Sequence, residues 1–464
     1  MKRTIILLLV FVLVFTTLLA GCGSKSSDIA NSESPNNVAN EPDDQKSDDQ
    51  NADDQEADAN DAPSGAVELS FWTFQELHKG FMDDAVERWN EANPDRPISL
   101  LVDVFPYDEM HNKLLISLQS GTGAPDIADI EIGKFANFLK GSEPSLVPLN
   151  RVLEPELDKF VLGRLTTYSK DGKYYGLDYH VGASVMFYNM EILEEAGVNP
   201  DDIKTWDDYF EYGKQVVEKT GKPMGTVETT EHWTFYPMIN QRGSDFLDEN
   251  GDVILDNEIN IETLEFIKKM LDEGVVQAAP GGFHHAEEYW AFMNEGGAAS
   301  VLMPMWYMGR FTQYMPDLKG KMVIRPMPAW EEGGMRSAVM GGTGTAVTNQ
   351  AKDIDLAVDF LGFAKASKEG AIKTWTILGF DPIRWDVWDA PEMSADNEYT
   401  EYFGKDIFDM LKSIKDEMNP VNVGDRYPAA VSLVQKEVMF KVLEEQSMTP
   451  EEALKAAAEE LRAQ

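Results

Sequence analysis

Basic residues are scarce in this chain, with 40 Lys and Arg against 81 Asp and Glu and a formal net charge of −41 over 464 residues. Phosphate recognition needs a basic footprint, so nucleic acid is excluded as a partner. Cysteine is scarcer still. The single one, Cys22, excludes a disulfide framework and any Cys-rich zinc module. Beyond the first twenty or so residues no apolar run approaches the roughly 18 residues of a membrane span, and no internal repeat is found. A Gly-x-Ser-x-Gly elbow is missing, and the lone thiol sits at the N-terminal lipid site described below, so covalent serine or thiol catalysis finds no support. His284-His285 beside Glu287 and Glu288 invites a metal reading, but HExxH is absent and adjacent side chains point different ways in either regular structure. No metal and no cofactor are expected.

What the N-terminus does hold is an address. Met1-Lys2-Arg3 precedes an apolar run from Thr4 to Ala20, the pattern of an export signal. Leu19-Ala20-Gly21-Cys22 resembles a bacterial lipobox, which implies cleavage before Cys22 and acyl chains on its thiol. Residues 23–65 contain no aromatic, twelve acids and two lysines, too polar to bury a core. The expected division is therefore a signal peptide over 1–21 and a lipidated cysteine with a disordered acidic tether over 22–65. The body from residue 66 keeps a net charge of −33, an ordinary route to solubility that would repel anionic ligands.

The body reads as α/β. Val67, Leu69 and Phe71 alternate with Glu68, Ser70 and Trp72, a strand signal; Phe81, Ala85 and Trp89 recur at helical spacing until Asn93-Pro94. Ile98–Val104 and Pro125–Ile130 read as further strands, separated by a helical stripe of Met110, Leu114 and Leu118. Such alternation predicts βαβ units and a mostly parallel sheet, with ligands gathering at the carboxyl ends of its strands. Asp353 to Ala366 predicts a helix, and Thr449-Pro450-Glu451-Glu452 a capping box opening a final one.

Several stretches in order resemble extracellular solute-binding proteins of bacterial ABC importers, in the maltose-binding-like carbohydrate branch. They are Leu69-Ser70-Phe71-Trp72-Thr73-Phe74, Gln119-Ser120-Gly121-Thr122-Gly123-Ala124-Pro125-Asp126-Ile127, Tyr174-Tyr175-Gly176-Leu177-Asp178 and Phe187-Tyr188-Asn189. Glu195-Ala196-Gly197, Lys204-Thr205-Trp206-Asp207-Asp208, Phe292 through Ala299 and Met303-Pro304-Met305-Trp306 continue the series. Within that branch, Phe283-His284-His285-Ala286-Glu287-Glu288 and Gly379 through Asp386 look like binding proteins for arabinose or arabino-oligosaccharides.

The resemblance implies a two-lobed periplasmic-binding-protein-like fold of type II, with discontinuous lobes joined by hinge segments. The lobes would be 66–180 with 343–388, and 181–342 with 389–464. The hinges would fall near Asp178–Met186, Ala338–Thr343 and residues 385–395. It further implies a monomer held on the extracellular face of the cell membrane by lipid, palmitate included, that captures a carbohydrate and passes it to permease subunits. The competing possibility is a secreted lipoprotein glycoside hydrolase acting on plant polysaccharide, which would need two carboxylates about 5–10 Å apart across a cleft. With so many acids, candidate pairs are uninformative.

A sugar offers an apolar face and a rim of hydroxyls, so it calls for flat aromatics and planar polar groups. Trp306 matches the family's cleft tryptophan after Met-Pro, and Trp233 falls where the family places another stacking aromatic. Trp72, at the end of the first strand, is a third candidate. Gln75 and Glu76, with His78, follow that strand where relatives bind hydroxyls. Glu131 ends another strand, and His180 lies beside the first hinge. Arg384 is a candidate for a hydroxyl pair, against a surface pair with Asp386. Gly342, in the Gly341–Thr345 run, is a candidate to offer backbone N–H groups. Trp89 and Trp206 are assigned to packing.

Overall fold

The alternation after Ala66 becomes β1 (Val67–Thr73), followed by α1 (Glu76–Ala92), β2 (Ile98–Val104), α2 (Tyr107–Ser120) and β3 (Ile127–Glu131). The computed structural model describes residues 63–141 and 143–464, so the export signal, Cys22 and most of the acidic segment lie outside the described residues. The helix stops fall where the sequence put them. Asn93 caps α1, and Gly121 ends α2 with φ +76°, a left-handed turn that costs glycine little. Later strands are β4 (Leu177–Asp178), β5 (Ser184–Asn189), β6 (Ser300–Pro304), β7 (Met322–Pro326) and β8 (Thr343–Val347).

Two principal sheets result. The first runs β2-β1-β3-β8-β4 and the second β6-β5-β7. β1 pairs in parallel with β2 and β3, as βαβ units require, with Trp72 opposite Asp103. The expectation of a mostly parallel architecture fails beyond that point. β8 pairs antiparallel with both β3 and β4, and every pairing of the second sheet is antiparallel. The reason is connectivity: β8 enters the first sheet directly from the second, without a helical crossover to turn it round.

The helix expected over Asp353–Ala366 is capped by Asp353, whose carboxylate accepts from Leu356 N. It runs as α-helix to Leu361 and then widens into a π turn over Gly362–Ala366. Lys365 in that turn is buried, and its Nζ donates to Leu177 O at 2.7 Å and Thr345 Oγ1 at 2.6 Å. The capping box at Thr449 forms with both reciprocal bonds, and Pro450 opens the last helix. Among the described residues no helix is long and apolar enough to cross a membrane.

Three segments meet where chain passes between the sheets. Met340 N donates to Gly182 O at 2.9 Å, Ser184 N to Ala338 O at 2.8 Å, and Ala183 N to the Asp381 carboxylate at 3.1 Å. Arg164, wholly buried, ties the first two together. Its Nε and Nη2 donate to Val181 O at 2.8 and 2.5 Å, and Nη1 donates to Gly341 O at 2.6 Å. The guanidinium also lies 3.3 Å from Asp178, whose carboxylate accepts from the Tyr168 hydroxyl at 2.5 Å. Burial raises the Asp178 carboxyl, but the Arg164 cation, the hydrogen bond from Tyr168 and the other charges around it, Lys365 among them, together outweigh it and hold the group below the ordinary carboxylate value.

Removing one partner of a buried pair leaves the other charge uncompensated, at a cost of about 3–5 kcal/mol. Arg164→Met is therefore expected to lose about that much stability in urea unfolding. A loss under about 1 kcal/mol would contradict the role given to this cation.

Candidate functional site

Two adjoining cavities lie between the elements of the two sheets. One, of about 340 Å³, is lined by Tyr107 and Glu131 on the side of the first sheet and by Trp233, Tyr236, Tyr427 and Gln435 opposite. The other, of about 570 Å³, is lined by Gln75, His78 and His180 on one side and by Trp306, Arg310 and Tyr399 on the other. Gly341 lies beside a tryptophan of each. It lines the first cavity, and a Cβ placed on it would sit 3.1 Å from Trp306 Nε1 and 3.4 Å from Trp233 Cζ3. Its φ of +65° and this close approach both call for glycine.

The wall beside Gly341 is aromatic. Trp233 and Trp306 meet edge to face with centroids 5.4 Å apart and an interplanar angle of 82°. His285 stacks on Trp306 at 5.5 Å and 27°. Trp306 follows β6 in a short 3₁₀ turn, and its Nε1 donates to Met340 O at 3.3 Å. Both tryptophans are half-buried, leaving part of each ring to meet a ligand.

This wall is held from behind by a residue that no motif marked. Glu228, fully buried, accepts from Trp233 N at 2.9 Å with one oxygen and from His284 N at 3.0 Å with the other. One carboxyl thus fixes the two loops that carry Trp233 and His285. Burial pushes Glu228 up to about 8. The adjacent histidines do point different ways. His284 turns inward to Thr226 Oγ1 at 2.9 Å, and His285 turns to stack on Trp306.

The opposing face is polar and braced. Glu131, at the end of β3, accepts from the Tyr107 hydroxyl at 2.9 Å and from Gly133 N at 2.8 Å. Burial pushes its carboxyl up to about 7. In the second cavity His78 rests on the buried carboxylate of Asp129 at 2.8 Å, and its ring stacks on Tyr179 at 3.7 Å. Asp129 also accepts from Thr73 Oγ1 at 2.7 Å and Thr345 Oγ1 at 2.6 Å.

Of the residues proposed from sequence, Gln75, Glu131, His180, Trp233 and Trp306 line these cavities. Four do not. Trp72 is 7 % exposed, its Nε1 donates to Asp103 at 3.1 Å, and the Lys113 ammonium sits 4.5 Å over its ring. Glu76 lies exposed in the first turn of α1 and faces neither cavity. Gly342, with φ +140°, packs against Asp178, Arg164 and Tyr168, so it serves the hinge while Gly341 faces the cleft. Arg384 is 1 % exposed, paired with Asp386 at 2.7 Å and Glu156 at 2.7 Å and donating to Ala366 O at 2.8 Å. Its fork is fully used inside the protein.

Two α/β bodies, crossing segments that meet at a buried cation, and an aromatic cleft between them define a two-lobed solute-binding protein. The chain belongs to the bacterial extracellular solute-binding protein family, whose model matches residues 72–371. It is 50% identical over 464 residues to the arabinooligosaccharide-binding protein of Bacillus subtilis (strain 168), covering 100% of both chains. It is 54% identical over 400 residues to the protein of the same name from Halalkalibacterium halodurans, covering 86% of this chain and 90% of that one. Its fold matches the sugar-binding protein MalE from Xanthomonas citri with a TM-score of 0.73 at 17% identity, over 86% of this chain and 97% of that one. The chain is a binding protein and not an enzyme, which removes the hydrolase alternative.

A carboxyl whose folded pKa is raised favours the folded state fully below its unfolded value, and that contribution is lost as pH rises through the folded one. For Glu228 the window runs from about 4.5 to about 8. Glu228→Gln keeps the shape without the charge. Melting curves should show the wild type losing stability relative to this variant as pH rises from 5 to 8. Parallel curves would remove the assignment.

Proposed function

We propose that this chain is a lipid-anchored receptor on the extracellular face of the cell membrane. It captures an arabino-oligosaccharide in the cleft and delivers it to the permease subunits of an ABC importer. The observation that carries the sugar reading is the perpendicular Trp233–Trp306 pair beside Gly341, with a cavity on each side. A sugar ring presents C–H groups that pack on an indole face, while its hydroxyls require the polar groups that line the same space. Cavities on both sides of the pair give room for more than one ring. The relatives named for arabino-oligosaccharides, similar over most or all of the chain, support that sugar class. A neutral sugar also suits a strongly acidic protein, since an anionic one would be repelled.

In this reading residues 66–180 with 343–388 form one lobe and 181–342 with 389–464 the other. Ligand and closure are linked: the sugar favours the closed form by the extra contacts it gains from the second lobe. The protein acts as a monomer, with acyl chains on Cys22 as its hold on the membrane. Each buried methylene contributes about 0.8 kcal/mol to that hold.

Arabinotriose is expected to quench tryptophan fluorescence saturably and to be recovered intact. Trp306→Ala should weaken its binding by tenfold or more, with Trp306→Phe in between; unchanged affinity in the alanine variant would withdraw the stacking role. Labelled palmitate should enter the wild type, while Cys22→Ala should take up none and be released to the medium. Equal labelling of both would refute lipidation at that residue.

A further inference from the structure

The helix that follows Trp306 leads out of the cavity beside it. After the short turn at Met305–Tyr307, an α-helix runs over Met308–Tyr314 with helical backbone across the join. Trp306, Gly309, Arg310 and Gln313 all line the cavity, which is the i, i+3, i+4, i+7 row of one helix face. Met305, Met308 and Phe311 point the other way and are buried. Tyr314 stands one turn beyond Arg310, at the outer end of the cavity face, and is 38 % exposed. Eight residues separate it from Trp306, about 12 Å of helical rise.

Tyr314 is not a loose side chain. Its ring lies flat on Trp290, with centroids 4.0 Å apart and planes within 3° of parallel. Trp290 is fixed in turn, since its Nε1 donates to His284 O at 3.0 Å. The Tyr307 hydroxyl donates to the same carbonyl, so the stacked pair is tied to the loop that carries His285. Among the described residues Trp290 is the one aromatic ring stacked on Tyr314, and the other face of the tyrosine has no ring against it. Across the opening, Leu77 and Ile377 line the same cavity and are 44 % and 41 % exposed. Three large apolar side chains that water would otherwise have to cover thus gather at one opening. Neither Tyr314 nor Trp290 falls in the stretches that resemble the sugar-binding family.

We infer that Tyr314, laid flat on Trp290, is an outer sugar platform at the mouth of the cavity beside Trp306, and that it holds the residues of an arabino-oligosaccharide that extend beyond the cleft. The inference rests on the sugar reading of the cleft and deepens it. A ring packed on Trp306 does not span to Tyr314, whereas a later residue of the same chain does. The occupant is sugar because the platform continues, without a break, the helix face that lines the cavity from Trp306 outward. An aromatic face already held in place takes the C–H side of a sugar with little ordering left to do. The cleft thus sets which sugar is taken, and the platform adds affinity with chain length. Chains released from a polymer are then favoured over single sugars.

Calorimetric titration with arabinobiose, arabinotriose and arabinohexaose tests the platform. Wild-type affinity should rise from the shortest chain bound to the hexaose by about three- to tenfold, the scale of one added aromatic contact. Tyr314→Ala should remove that gain while changing the affinity for the shortest chain by less than about twofold. Tyr314→Phe keeps the ring face and should match the wild type. Equal wild-type affinity for every chain length, an alanine variant that loses all chains alike, or a phenylalanine variant as weak as alanine overturns the inference. So does an alanine variant with unchanged affinities but slower uptake of arabinohexaose by cells, which would make this rim a contact for the permease. Failure of the wild type to bind any of these chains would instead remove the sugar reading itself, and the platform with it.

Discussion

A guanidinium taken wholly out of water must find acceptors on every side, and Arg164 finds them on the segments that pass between the sheets. Val181 O comes from the first crossing, Gly341 O from the second, and Asp178 supplies the countercharge at 3.3 Å. This arrangement allows little freedom. If either crossing moves away, a carbonyl and a cation lose a bond in a medium that offers no replacement. The hinge is therefore stiff at its centre, and any motion between lobes has to pivot around Arg164 rather than through it. Gly341 and Gly342, with φ +65° and +140°, supply the backbone conformations that let the second crossing reach it.

The cleft extends this logic outward. Several groups at the cleft are braced by a buried carboxyl behind them: Trp233 and the His285 loop by Glu228, and His78 by Asp129. These carboxyl groups are spent inside the protein on backbone N–H groups, hydroxyls and imidazoles. What reaches the cavity is aromatic surface and directional hydrogen bonding, the combination that suits a neutral polyol. Acidity and sugar binding thus coexist along this wall, because Glu228 and Asp129 stand behind the groups they hold.

Much of this could be read along the chain, and the misses share a cause. Strand alternation at Val67–Thr73, the helix stops at Asn93 and Gly121, and the capping box at Thr449 are local patterns, and they fold as read. Trp306 and Trp233 were found through neighbours in sequence. Trp72 ends a strand with no such match, and its partners Asp103 and Lys113 come from β2 and α2 and meet it only in the fold. Arg384 carried a visible local partner in Asp386, while Glu156, which completes the fork, lies 228 residues away. Arg164, Asp129 and Glu228 sit in no motif at all, since their roles arise only when distant segments meet. One signal was present and unread. The chain has six histidines, and five of them, His78, His180, His232, His284 and His285, line the cleft or support its wall.

The central claim is that one sugar chain lies against the Trp233–Trp306 pair and touches groups from both sheets' sides at once. A crystal structure of the protein grown with arabinotriose tests it most directly. The account predicts a ring packed on the Trp306 indole, with hydroxyls within hydrogen-bonding distance of polar groups on both sides of the cleft. Arabinotriose bound outside this cleft, or held by residues of one side only, would contradict it.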